Sequence, residues 1–166
     1  MFLWQKFFYP QANNTTCLSD NTLVKKTSMQ IEVCGTIDEL IAHIENLSIV
    51  SLYKDNLSSI VKDLSAICLD VSRKPHPAKE FDIYNKIRDL ELLIDRFGSN
   101  FKGFKRPNTE AASRSNICRV VARRLERVYL KWSETLYEEQ QNKLVQSYLN
   151  RLSDLFYSLM IKFNES

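Results

Sequence analysis

Glycine and proline are scarce in this chain, with three and four among 166 residues. So few turn formers over this length favour long helices with few connections. Histidine is scarcer still, at two. His43 follows Glu39 by four residues and His76 stands between Pro75 and Pro77. A ferritin-like di-metal bundle, which needs Glu-x-x-His twice, is thereby excluded, and a histidine-based nucleophile system has no support. The four cysteines (Cys17, Cys34, Cys68, Cys118) form no CxxC pair, so neither a zinc ligand set nor a thioredoxin-like motif is present. Reduced, buried thiols of an intracellular protein are the expectation. No P-loop and no GxGxxG occurs, which removes the two common nucleotide sites. No run approaches the ~20 apolar residues of a membrane span. The aromatic start Met1–Pro10 is short, is interrupted by Gln5 and Lys6 and has no cleavage-site pattern, so it reads poorly as a signal peptide. A cytoplasmic location is expected, without a membrane. A net charge of +3 is too small to argue for nucleic acid.

What the chain does have is apolar periodicity. Hydrophobic residues make up 44% and charged residues 26%, the balance of one globular domain with a substantial core. Residues 1–32 show little helical spacing and read as an irregular segment pinned to a surface. Thr36-Ile-Asp-Glu39 has capping-box spacing behind a turn at Gly35. The helix it starts would turn Ile37, Leu40, Ile41, Ile44 and Leu47 inward and end near Leu52. A second helix follows Lys54-Asp55-Asn56 and runs to about Arg73, where Pro75 and Pro77 stop it. A third spans about Ala78–Phe97, with Gly98 as its cap. A fourth starts near Asn108 or Thr109 and runs to about Tyr137. Glu138–Lys143 is the candidate break before a fifth, about Lys143–Phe163. With no clear strand, the expected fold is all-α: a five-helix antiparallel bundle over residues 1–166.

The fourth helix holds the most chemistry. At 100° per residue, Ile117, Val120, Val121, Leu125 and Val128 share one broad side. Arg119, Arg123 and Glu126 share the other, and Arg124 falls toward the apolar flank. Stacked guanidinium groups suit an anion with several negative oxygens, because each is a rigid fork of donors. A solvated basic face is the simpler reading of such a run. The last helix carries Asn150 and Asp154 one turn apart on its polar side, with Arg151 nearby, and Asp38 lies near a helix start. The carboxylate pairs Asp63/Asp70 and Asp82/Asp89 read as solvated faces.

Three blocks in this order resemble the PduO-type ATP:cob(I)alamin adenosyltransferases. Ile31-Glu-Val-Cys-Gly-Thr-Ile-Asp-Glu-Leu40 is similar to R-V-E-A-Y-G-T-V-D-E-L. Cys118-Arg-Val-Val-Ala-Arg-Arg-Leu-Glu-Arg127 is similar to A-R-T-V-C-R-R-A-E-R. Tyr148-Leu-Asn-Arg-Leu-Ser-Asp154 is similar to F-L-N-R-L-S-D. The resemblance covers roughly residues 24–163. It implies a homotrimeric bundle with active sites between subunits, and ATP, Mg²⁺ and cobalamin as the reacting set. The metal would come with the ATP phosphates, not on protein ligands. By the same resemblance Arg119, Arg123 and Asp38 are the catalytic residues, with Arg119 paired to Asp38 across the interface. Lys26, Arg123, Asn150, Thr15, Thr16 and Glu32 would bind ATP. Arg124, Glu126 and Asp154 would form a supporting network, and Phe104 would line the corrinoid site. A reductase or a B12-dependent enzyme is an implied partner. The family's N-terminal loop, T-G-D-K-G-T-T-S-L, corresponds here to Gln11-Ala-Asn-Asn-Thr-Thr-Cys-Leu18, which keeps Thr-Thr but lacks both glycines, the Asp and the Lys. Two other readings therefore stand beside an active transferase: a catalytically impaired paralogue that carries nucleotide or corrinoid, and a helical module whose basic face meets an acidic partner.

Overall fold

Among the described residues, apolar side chains at helical spacing build five α-helices, and one short hairpin precedes them. The computed structural model describes residues 14–73, 82–98, 103, 105–136 and 139–165. The helices are α1 (Met29–Val50), α2 (Lys54–Val71), α3 (Ile83–Phe97), α4 (Glu110–Ser133) and α5 (Glu139–Asn164). Strands β1 (Thr15–Cys17) and β2 (Leu23–Lys25) pair antiparallel, with Thr16 opposite Val24. The packed helix pairs are α4 with α5, α1 with α4, α3 with α5, and α1 with α2. Their inward side chains form one core in which Ile37, Leu40, Leu64, Leu125, Tyr148 and Phe156 are fully enclosed. The mostly α architecture matches expectation. Among the described residues no helix is long and apolar enough to cross a membrane.

Four local differences have physical causes. First, α1 begins at Met29, a full seven residues before Thr36. Gly35 is therefore helical, and Thr36 is not a cap: its hydroxyl donates back to the Glu32 carbonyl at 2.7 Å. That i to i−4 bond is the alternative such a residue has inside a helix. Second, part of the segment expected to be irregular folds as the hairpin. Asn21 provides its turn at φ 65°, a left-handed conformation that Asn tolerates. The hairpin is tied to the end of α2, where Ser19 N–H and Oγ–H both donate to the Ser72 carbonyl, at 3.2 and 2.7 Å. Third, α3 starts at Ile83 behind Asp82, which accepts from Asn85 N–H at 3.2 Å; residues 78–81 of the expected start lie outside the described residues. Fourth, α4 stops at Ser133 and turns follow through Leu136, so the break comes earlier than 138–143. The expected start of α4 and the expected cap of α3 are as read. Thr109 Oγ1 accepts from Ala112 N–H at 3.1 Å, and Gly98 ends α3 at φ 64°.

Two polar features place α2 within the bundle. Gln30 Nε2 donates to the Val71 carbonyl at 2.5 Å, which sets α1 and α2 in antiparallel register. Buried Asp63 accepts from Tyr148 Oη at 3.2 Å and pairs with Lys86 Nζ at 3.0 Å, linking α2 to α5 and α3. Asp63 is thus not on a solvated face.

Candidate active site

The rotation of α4 is set by its contacts with α5. Ser115 Oγ, fully buried, donates to the Phe156 carbonyl at 2.8 Å, and Thr109 Oγ1 donates to the Phe163 carbonyl at 3.1 Å. Cys118, Val121, Ala122, Leu125, Tyr129 and Trp132 then fill the core. The buried face is therefore turned from the expected one: Ile117 and Val120 remain 40% and 47% exposed. Arg119, Arg123 and Glu126 still form one stripe. Arg119 is half-buried and donates through Nε to Asn116 Oδ1 at 3.0 Å. Arg123 is exposed, and its main-chain carbonyl accepts from Arg127 at 3.0 Å. Among the described residues neither guanidinium forms an ion pair. Two cations held on one rigid helix without carboxylates are available to an anion.

The expected network of Arg124, Glu126 and Asp154 is divided into three separate contacts. Arg124 lies on the flank facing α1 and pairs with Glu39. Glu126 faces α5 and accepts from Asn150 Nδ2 at 2.9 Å. Asp154 accepts from Arg151 at 2.9 Å, its neighbour three residues back. Helix geometry explains the division, since positions 124 and 126 point about 200° apart.

Glu126 and Asn150 sit on the wall of a groove of ≈ 640 Å³. Tyr84 and Glu91 of α3 and Lys143, Ser147 and Arg151 of α5 are among the other residues that line it. The volume is in the range of small-molecule sites. Arg123 and Arg119 continue from Glu126 along the same stripe of α4, one and two turns away. A ligand with a polar group at Asn150 could therefore extend its negative end toward the arginines. The α3 lining was missed from sequence: Tyr84 and Glu91 look like ordinary surface positions until α3 packs on α5. Lys143, Ser147 and Arg151, at four-residue spacing, were the one available signal.

The remaining proposed ATP residues gather elsewhere. Thr15 pairs with Lys25 in the hairpin, and Lys26 N–H donates to the Asn14 carbonyl at 2.8 Å. Thr15, Thr16 and Lys26 are thus brought together. Glu32 is exposed in the first turn of α1. Asp38 is further along α1, about 14 Å from its first residue by helical rise. Asp38 is exposed in the single chain, and partial burial still holds its carboxyl above the usual range by penalising the charge. Within the chain no ion pair joins Asp38 to Arg119. Phe104 lies outside the described residues; on either side of it, Tyr157 Oη donates to the Gly103 carbonyl at 2.8 Å and accepts from Lys105 N–H at 3.4 Å. Among the described residues no three His, Cys, Asp or Glu side chains cluster to hold a metal.

Comparisons with known proteins bear on the family and the fold. The cobalamin adenosyltransferase family model matches residues 12–163. The corrinoid adenosyltransferase PduO of Salmonella typhimurium is 32% identical over 155 residues, covering 87% of this chain and 45% of the relative. The chain therefore spans about half the length of that protein. A cobalamin adenosyltransferase of Cupriavidus metallidurans is 30% identical over 168 residues, covering 92% of this chain and 84% of the relative. Among solved structures, a variant PduO-type ATP:corrinoid adenosyltransferase from Lactobacillus reuteri, complexed with cobalamin and ATP, superposes with a TM-score of 0.76. It is 23% identical and covers 92% of this chain and 89% of its own, a similarity of fold. With three sequence blocks, the bundle and a family model that spans nearly the whole chain, this protein belongs to the cobalamin adenosyltransferase family.

Proposed function

We propose that the protein transfers the 5′-deoxyadenosyl group of ATP to Co(I) of cobalamin. The observation that carries this reading is the Asn150–Glu126 pair on the groove wall, with Arg123 and Arg119 continuing along the same stripe of α4. In the step, the cobalt electron pair forms a Co–C5′ bond, the C5′–O bond breaks, and its electrons leave on triphosphate. No protein base is needed. The chain must align the reactants and stabilise charge growing on the leaving oxygens. Asn150, oriented by Glu126, binds the nucleoside end. Arg123 meets the triphosphate, whose oxygens carry Mg²⁺.

The hairpin residues Thr15, Thr16 and Lys26, with Glu32, supply the other half of the ATP site from a neighbouring subunit of a homotrimer. The separation of the hairpin from the arginine stripe within one chain supports that reading. So do the exposed Ile117 and Val120, which give α4 an apolar outer face. In the trimer Asp38 meets Arg119 of a neighbouring subunit, and Arg119, Arg123 and Asp38 are the catalytic set. Asp154 holds Arg151 of the groove wall, and Arg124 ties the other flank of α4 to α1 through Glu39. Phe104 lines the corrinoid side. Residues 1–166 act as one domain in the cytoplasm, with a reductase or a B12-dependent enzyme as partner.

An impaired carrier is the second reading, favoured by the missing glycines, Asp and Lys at positions 11–14. Glycine there would let backbone N–H groups wrap phosphate closely. The test is an anaerobic assay in which reduced cobalamin, ATP and Mg²⁺ are followed optically for the cobalt–carbon bond, beside an ATP titration by calorimetry. Turnover beyond one product per chain supports the transferase. Tight ATP binding without product establishes the carrier instead.

A further inference from the structure

Two thiols meet across the α1–α2 seam. The Gln30–Val71 hydrogen bond fixes the antiparallel register of these helices. One turn onward in α1 and one turn back in α2, that register sets Cys34 opposite Cys68. The two sulfurs lie within interacting reach of each other at the edge of the core, both half-buried. The other two cysteines are placed differently: Cys17 is exposed in the hairpin, and Cys118 is enclosed in α4 with burial pushing its thiol up to about 12.

The pair is chemically unequal. The interaction with Cys34 lowers Cys68, while the same interaction, together with burial, raises Cys34. Of the two, Cys68 gives up its proton more readily and is the nucleophile of the pair. Asp38, one turn beyond Cys34, acts on both sulfurs and opposes negative charge on either.

We propose that Cys34 and Cys68 form an oxidative modification site, closing to a reversible disulfide when a hydroperoxide reaches the α1–α2 seam. The steps balance. The Cys68 thiolate attacks one peroxide oxygen and the O–O bond breaks, giving a Cys68 sulfenic acid and hydroxide, which takes a proton to become water. The Cys34 sulfur then attacks the Cys68 sulfur; the S–O bond breaks, and the hydroxyl leaves as water with the Cys34 proton. Two thiols are oxidised and one hydrogen peroxide becomes two waters. The disulfide clamps α1 to α2 one turn from Asp38. The modification needs neither ATP nor corrinoid, so it stands apart from the proposed reaction.

The test uses the full chain, reduced and then exposed to hydrogen peroxide. Intact mass should fall by two hydrogens and recover with dithiothreitol, and digestion should yield a peptide joining Cys34 to Cys68. Cys34→Ser should halt at a sulfenic acid that dimedone traps; Cys68→Ser should give neither product. Oxidised wild type should melt about 5–10 °C higher than reduced, because the bond closes a long loop, and neither Ser variant should show the rise. Linkage through Cys17 or Cys118, or oxidation beyond sulfenic acid in wild type with no linked peptide, would overturn the proposal.

Discussion

Two sets of charged side chains in this bundle are arranged in opposite ways. Around Asp63, charge is buried and satisfied inside the chain: the carboxylate is 7% exposed, with Tyr148 donating to one oxygen and Lys86 paired to the other. Along α4, Arg119 and Arg123 stand half-buried and exposed, with no ion pair among the described residues. The difference is instructive. A buried charge without a partner is expensive, so the fold provides one. A cation at the surface costs little to leave open, and one fixed on a helix is already placed for a ligand. Stability and function therefore rest on different charges, and substitutions should separate them.

The sharpest separation is expected at Arg123. Arg123→Ala should lower kcat/KM for the proposed transfer by about 10²–10³-fold, the scale of one lost charge-stabilising donor. Its Tm should stay near wild type, because an exposed Arg contributes little to stability. A large loss of Tm with normal turnover would place Arg123 with the structural charges. The opposite pattern is expected at Lys86. Lys86→Met leaves Asp63 buried with only Tyr148, at a cost of about 2 kcal/mol, less than a fully buried pair because Lys86 is a third exposed. For a chain of this size that is roughly 4–8 °C in thermal melting, with ATP affinity unchanged.

The same contrast explains what could be read from sequence. The five helices were legible because Leu, Ile and Val recur at three and four residues over fifteen or more positions. The start of α1 was not, since Gly35 and Thr-x-x-Glu are turn and cap signals that a longer helix also accommodates. The hairpin was missed because three-residue strands are too short to show alternation. The rotation of α4 was misjudged because Cys118, Ala122, Tyr129 and Trp132 fill the core while Ile117 and Val120 do not. Within the site, the arginine stripe and Asn150 were legible as spacing on single helices. The pairing of Arg124 with Glu39, and the groove's α3 wall, depend on how helices meet, which spacing within one helix does not encode.

Asp38 lies between the two classes. Partial burial raises its carboxyl above the usual 3.8, and no ion pair among the described residues lowers it. The folded chain therefore holds this proton more tightly than the unfolded chain does. Asp38's contribution to stability should fall as pH rises from about 3.8 to the raised value, and Asp38→Asn should abolish that fall. In the proposed trimer, Arg119 of a neighbouring subunit would reverse the sign by favouring the anion. Carboxyl titration by NMR at low and high protein concentration should show the pKa dropping on assembly. An unchanged value across that range removes the Asp38–Arg119 pair from the model of the interface.

The smallest effect is expected at Arg124, and it tests whether visible contacts are the ones that matter. The Arg124–Glu39 pair joins α4 to α1, so it looks like a structural pin. Yet its side chains are 44% and 42% exposed, and solvent screens such pairs to about 0–1 kcal/mol. Arg124→Ala should thus melt within a few degrees of wild type as an isolated chain, well short of Lys86→Met. Its effect on assembly is a separate matter, because Arg124 lies beside Ile117 and Val120 on the outer face of α4. If that face is a subunit contact, the pair becomes desolvated there, and the variant should weaken the oligomer measured by sedimentation more than it lowers the chain's stability. A variant that destabilises the chain as much as Lys86→Met would mean that Arg124 belongs with Asp63 and not with the arginines left open for a ligand or a neighbour.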